Sequence, residues 1–74
     1  MTALDVVFRL GTPPGTREIQ ALSLVREVYG IRKLSFEGDM SIRVEYDASR
    51  LAESTVAALL RRAGLDVREK LVLI

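Results

Sequence analysis

Apolar and polar residues alternate from Leu4 to Leu10, with Leu4, Val6, Phe8 and Leu10 set against Asp5, Val7 and Arg9. A period of two predicts a strand with one core face and one mostly polar face. The Gly/Pro-rich stretch Gly11-Thr12-Pro13-Pro14-Gly15 ends it. A helix is expected from about Thr16 to Tyr29, with Thr16 as N-cap and Glu18 in a first turn that favours acidic residues. Gly30 fits the C′ position of that helix. Its core stripe is read as Ala21, Val25 and Val28. Ile19, Leu22, Leu24 and Tyr29 widen the apolar surface beyond that stripe. The excess is either a broad core face with an exposed Leu or a surface for a partner.

Ile31 to Glu37 reads as a second strand with Leu34 and Phe36 inward, and Ser41 to Tyr46 as a third with Ile42, Val44 and Tyr46 inward. Gly38-Asp39 resembles a two-residue hairpin turn, but parity argues against it. A two-residue loop would set Phe36 opposite Ser41 and bring apolar positions onto the polar face. An odd loop of three or five residues, with Gly38 at positive φ, keeps both apolar sets together. Asp47 to Arg50 connects to a second helix over about Glu53 to Ala63. Val56, Leu59, Leu60 and Ala63 form its apolar face, and Leu51 can staple onto Val56 if Ala52 is the cap. Gly64 ends the helix, and Asp66 to Ile74 forms the last strand, closing on the apolar run Leu71-Val72-Leu73-Ile74.

The order β-α-β-β-α-β predicts an α+β, ferredoxin-like domain spanning residues 1–74: a four-stranded antiparallel sheet with two helices on one face. The opposite sheet face would carry Asp5, Arg9, Lys33, Ser35, Arg43, Glu45 and Arg68, whose mixed signs indicate solvation. At 74 residues the chain holds one modest core, so marginal stability or a partner is expected.

Composition narrows the chemistry more than it directs it. Eleven basic residues balance ten acidic ones. Neither a nucleic acid nor an anionic membrane is indicated. There is no Cys and no His, which removes disulfides, thiolate nucleophiles, imidazole bases and the usual soft metal ligands. No apolar run approaches the roughly 20 residues of a membrane span, and the N-terminal residues lack a secretory pattern, so no membrane insertion and a cytoplasmic location are expected. Without a nucleophile–base pair or two carboxylates of separated pKa, no enzyme activity and no cofactor are expected. The four aromatics, Phe8, Tyr29, Phe36 and Tyr46, fall on or near core positions, which argues against base stacking on the sheet.

Several segments resemble the heavy-metal-associated domain, the module of copper chaperones and of metal-transporting P-type ATPases. Tyr29-Gly30-Ile31 resembles the family's Pro-Gly-Val after its first helix. Val44-Glu45-Tyr46-Asp47 matches its Val-Glu-Tyr-Asp strand end, and residues 57–67 resemble its second helix and the Ala-Gly-Tyr-x-Val that follows. The resemblance implies the same fold and a place in metal transport or detoxification. Its functional signature is Gly-Met-Thr-Cys-x-x-Cys. Aligned back from Gly30 without a gap, Gly11 takes the Gly, Pro14 the first Cys and Arg17 the second. Cu(I) requires thiolate or thioether ligands. Pro14 offers no side-chain donor, and Arg17 brings a fixed positive charge. Met1 and Met40 are the only sulfurs. The family's metal site therefore does not carry over to this chain.

The expected function is that of a non-enzymatic, cysteine-less module working by protein contact, through a partner or self-association. Its candidate interface is Leu22, Leu24, Leu71, Val72, Leu73 and Ile74, because an outer strand lacking charge or Pro invites strand addition. An alternative is an anion or small-molecule site at Gly15, Thr16 and Arg17, where a helix N-terminus offers free N–H groups and Arg17 adds charge. A third is metal handling with ligands supplied by a partner. Glu37 and Asp39 make at most a poor divalent cage.

Overall fold

A computed structural model of the chain describes residues 2–38 and 40–73, with the side chains of Val72 and Leu73 outside the description. The elements are β1 (Ala3–Leu10), α1 (Thr16–Arg26), β2 (Ile31–Phe36), β3 (Ser41–Asp47), α2 (Glu53–Arg62) and β4 (Val67–Leu73). The four strands form one antiparallel sheet in the order β2-β3-β1-β4. This is the expected ferredoxin-like βαββαβ arrangement. Alternation along β1 sends Val6, Phe8 and Leu10 into the core, where they meet Leu34, Ile42, Val44 and Tyr46 from neighbouring strands. Leu22 and Val25 of α1, and Val56, Ala57 and Leu60 of α2, close the same cluster from the helix side.

The β2–β3 hairpin obeys the parity constraint. Phe36 pairs with Ile42, and the Glu37 N–H donates to the Ser41 carbonyl at 2.9 Å. Three residues lie between Glu37 and Ser41, and Gly38 has φ 70°. All the inward apolar residues of both strands therefore share one face.

The first helix departs from expectation at both ends. Its N-cap is Gly15, not Thr16. The reason is Glu18, whose Oε1 accepts the Gly15 N–H at 2.7 Å. A cap at Thr16 would put Ile19 at the third helical position, where no side chain could make that return bond. The helix also stops at Arg26, with Glu27 as C-cap, and does not reach Tyr29. Glu27 and Val28 donate N–H groups to carbonyls three residues back, Leu24 at 3.2 Å and Val25 at 3.0 Å, which tightens the last turn. The chain then swings so that the Gly30 carbonyl accepts the Asp47 N–H at 2.7 Å and Ile31 pairs with Tyr46. Gly30 has φ 105° but lies beyond the cap.

The core stripe of α1 is correspondingly rotated. Leu22 is 1% exposed and Val25 is buried, whereas Ala21 and Val28 are only partly covered. Leu22 therefore belongs to the core and not to an interface. A Leu offers more apolar area than an Ala, so the helix gains more by turning Leu22 inward.

The second helix follows the sequence closely. Ala52 is the N-cap, and Leu51 packs against the core that contains Val56. Ala57 joins the buried face, while Leu59 and Ala63 sit at its margin. At the end, the Leu65 N–H bonds the Leu60 carbonyl at 3.2 Å and the Gly64 N–H bonds Arg61 at 3.0 Å. This Schellman closure needs a left-handed residue at Gly64, whose φ is 102°.

Two irregularities reshape β4. Its pairs with β1 run Leu10–Val67, Arg9–Glu69, Phe8–Lys70 and Val7–Val72, which leaves Arg68 and Leu71 without a partner position. Glu69, not Arg68, thus stands opposite Arg9 and forms its ion pair at 2.7 Å.

Truncating Leu22 and Leu24 separates core from surface. Leu22→Ala is expected to cost about 2–5 kcal/mol. Leu24→Ala, at 68% exposure, should stay within about 0.5 kcal/mol of wild type. Urea unfolding of both variants checks this, and equal losses would contradict the assignment of α1's faces.

Candidate functional site

The loop before α1 is held at its start. The Leu10 N–H donates to the Met40 carbonyl at 2.7 Å and the Gly11 N–H to Asp66 at 2.9 Å. The side-chain ends of Asp66 and Arg68 lie over Gly11. Gly15, Thr16 and Arg17 are all exposed at the start of the helix. The Glu18 carboxylate already takes the Gly15 N–H and places a negative charge beside this helix start. An incoming anion would meet that charge as well as the favourable dipole. Arg17 has no ion pair among the described residues.

The sheet face opposite the helices is polar, and its arginines are engaged with carboxylates. Arg43 reaches both Asp5, at 3.2 Å, and Glu37. Hydrogen bonding to Glu37 leads the causes that raise its pKa above the ordinary guanidinium value. Arg32 pairs with Glu45 at 3.2 Å. With Lys33 and Ser35, the residues Asp5, Arg43 and Glu45 line a dimple of about 110 Å³. Val7 also points to this side, yet it is buried. Arg43 stands directly across from it, and the aliphatic stem of a guanidinium held in this way covers apolar surface. These half-exposed pairs contribute at most about 1 kcal/mol each; they occupy the face more than they stabilise it.

The helix side differs. Ala21, Leu24, Val25 and Val28 of the α1 segment, with Leu59, Arg62 and Ala63 of the α2 segment, line a groove of about 250 Å³. Leu24, 68% exposed, stands on its rim. Only Leu24 of this set was named from the sequence as a candidate interface residue. Its groove partners on the second helix were missed because Leu59 and Ala63 read there as core. The 3.6 period does contain the signal, since Leu59 and Ala63 lie four apart on one flank of the Val56–Leu60 stripe.

The remaining interface candidates separate. Leu71 is 48% exposed and falls on a bulge of the edge strand β4. Bulges twist an edge away from strand addition. The Val72 and Leu73 side chains and all of Ile74 lie outside the described residues. Asp39, the second carboxylate of the hairpin pair, lies outside them as well, as does Met1. Among the described residues, no three His, Cys, Asp or Glu side chains are placed to hold a metal together, and no helix is long and apolar enough to cross a membrane.

Tyr29 lies on the surface at 73% exposure, with the Arg50 guanidinium 4.8 Å from its ring centroid. Below it, Asp47 is the buried charged residue of the described chain. Its Oδ1 accepts the Ser49 hydroxyl at 2.6 Å and the Ser49 N–H at 3.0 Å. These bonds close the turn into α2. Bonding from Ser49, first through its hydroxyl, holds the Asp47 carboxyl below its ordinary value of 3.8.

A search of protein-family models finds none that matches the chain, and no curated protein matches it. The resemblance to heavy-metal-associated domains therefore rests on residue patterns alone.

Because the folded pKa of Asp47 is depressed, the unfolded chain takes up its proton first as pH falls. The stabilising contribution is present above about pH 4 and is lost as pH drops through the lower folded value. Asp47→Asn should be less stable than wild type at pH 7, and the difference should shrink toward pH 2. Thermal unfolding followed between those limits checks this. A constant difference would remove Asp47 as the source.

Proposed function

We propose that this chain is a non-enzymatic protein-contact module, related to heavy-metal-associated domains but without their thiolate pair, and that the helix layer is its working surface. One observation carries the reading. Leu24 and the groove beside it keep apolar surface open next to a core that could have buried it, while the sheet face is polar and crossed by ion pairs. An exposed apolar patch of this kind in a small domain marks contact with another molecule. The loop that holds the ion in heavy-metal-associated domains has Pro14 and Arg17 at the ligand positions, so the activity is assigned to contact and not to metal transfer. The anion site at Gly15, Thr16 and Arg17 is set second, because Glu18 already occupies the N-cap N–H.

Photo-crosslinking in the native host tests this reading. A benzoylphenylalanine at Leu24 is expected to capture another protein, and the same group at Ser35 on the sheet face is not. Capture only from Ser35, or from neither site, would count against the proposal. In parallel, Cu(I) and Zn²⁺ titrated into isotope-labelled protein should leave residues 11–17 unshifted. Stoichiometric, sub-micromolar binding confined to that stretch would return the chain to metal handling.

A further inference from the structure

We propose that the groove between α1 and α2 docks an acidic amphipathic helix; this rests on the protein-contact reading above and names the partner's chemistry. The lining is mostly apolar, with Leu24 and Val28 on one wall and Leu59 and Ala63 on the other. An amphipathic helix fills such a groove with residues at i, i+3, i+4 and i+7.

The charges set the partner's sign. Glu18, in the first turn of α1, lies against Gly64 just past the end of α2. The start of α1 and the end of α2 are therefore neighbours, which brings Arg17 and Arg62 to the same end of the groove. Neither makes an ion pair among the described residues. Arg26 and Arg61 also lack carboxylate partners there; they donate to the Leu34 and Val67 carbonyls. Of the helix-layer carboxylates, Glu53 is paired with Lys70 and Glu18 is engaged at Gly15, leaving Glu27 at the opposite end of α1. On the sheet face, by contrast, Arg9, Arg32 and Arg43 all have carboxylate partners. The helix layer thus presents the unpaired guanidinium groups of Arg17 and Arg62 at one end of an apolar channel. A second copy of the chain would bring two such layers face to face, and like charges across an interface cost affinity. A helix carrying Asp or Glu beside its apolar stripe meets both requirements, and Arg is suited to bidentate bonds with those carboxylates.

The probe is a synthetic, fluorescently labelled helical peptide of about 15 residues, with Leu in the i, i+3, i+4, i+7 stripe and Glu on both flanks. Its control has Lys at every Glu. Anisotropy should show binding of the Glu peptide and none of the Lys peptide. Arg17→Glu combined with Arg62→Glu should weaken binding at least about tenfold, and Leu24→Asp should abolish it. Affinity should also fall as salt rises from about 0.05 to 0.3 M. All three positions are exposed, and circular dichroism confirms that the variants fold. Amide shifts should centre on Ala21, Leu24, Leu59 and Ala63. Equal binding of the two peptides, shifts elsewhere, or sedimentation as a dimer that Leu24→Asp dissociates would each overturn the proposal. Failure of the peptide while Leu24 still crosslinks a protein in cells defeats the acidic-helix inference alone. Loss of that crosslink defeats the protein-contact reading itself.

Discussion

β1 is paired along both edges, with β3 on one side and β4 on the other, and its side-chain parity governs the rest of the molecule. A strand flanked on both sides cannot slip by one residue without moving Val6, Phe8 and Leu10 out of the core together. That constraint dictates which residues of β3 face inward through direct partners such as Val6–Val44 and Phe8–Ile42. It also obliges β2 to return through an odd loop. The two helices can then cover only the side onto which this set projects. At the other side the same parity lines up Asp5, Arg43 and Glu45, and a network of ion pairs is the consequence.

The edges and ends are fitted around this centre. β4 reaches its register only by leaving Arg68 and Leu71 unmatched. Those bulges move Glu69 opposite Arg9 and Lys70 within 3.3 Å of Glu53. α1 stops a turn short so that the Gly30 carbonyl can meet the Asp47 N–H, and Asp47 in turn fixes the approach to α2.

The two faces of the domain then have different electrostatic character. Carboxylates stand within reach of cations on the sheet because cross-strand neighbours lie about 5 Å apart. On the helices the arginines fall where no acidic neighbour occupies the i±3 or i±4 position facing the groove. The result is an apolar channel with unpaired positive charge at one end.

The order of elements, the inward sets of β1, β2 and β3, the odd hairpin loop, the Ala52 cap and the glycine stop at Gly64 were all legible in the sequence. Each depends on a local period or on a backbone requirement that a few adjacent residues state fully. The absence of every Cys and His was equally plain. What the tertiary structure alone decided involves choices between near-equivalent local options. Gly15 replaces Thr16 as cap because Glu18 can reach it. Leu22 replaces Ala21 in the core because the larger side chain gains more from burial. Glu69 replaces Arg68 on the sheet face because β1 imposes its register on β4. The groove between the helices belongs to this class as well. Its two walls come from separate helices far apart in the chain, and no local pattern states that Leu24 and Leu59 share a surface.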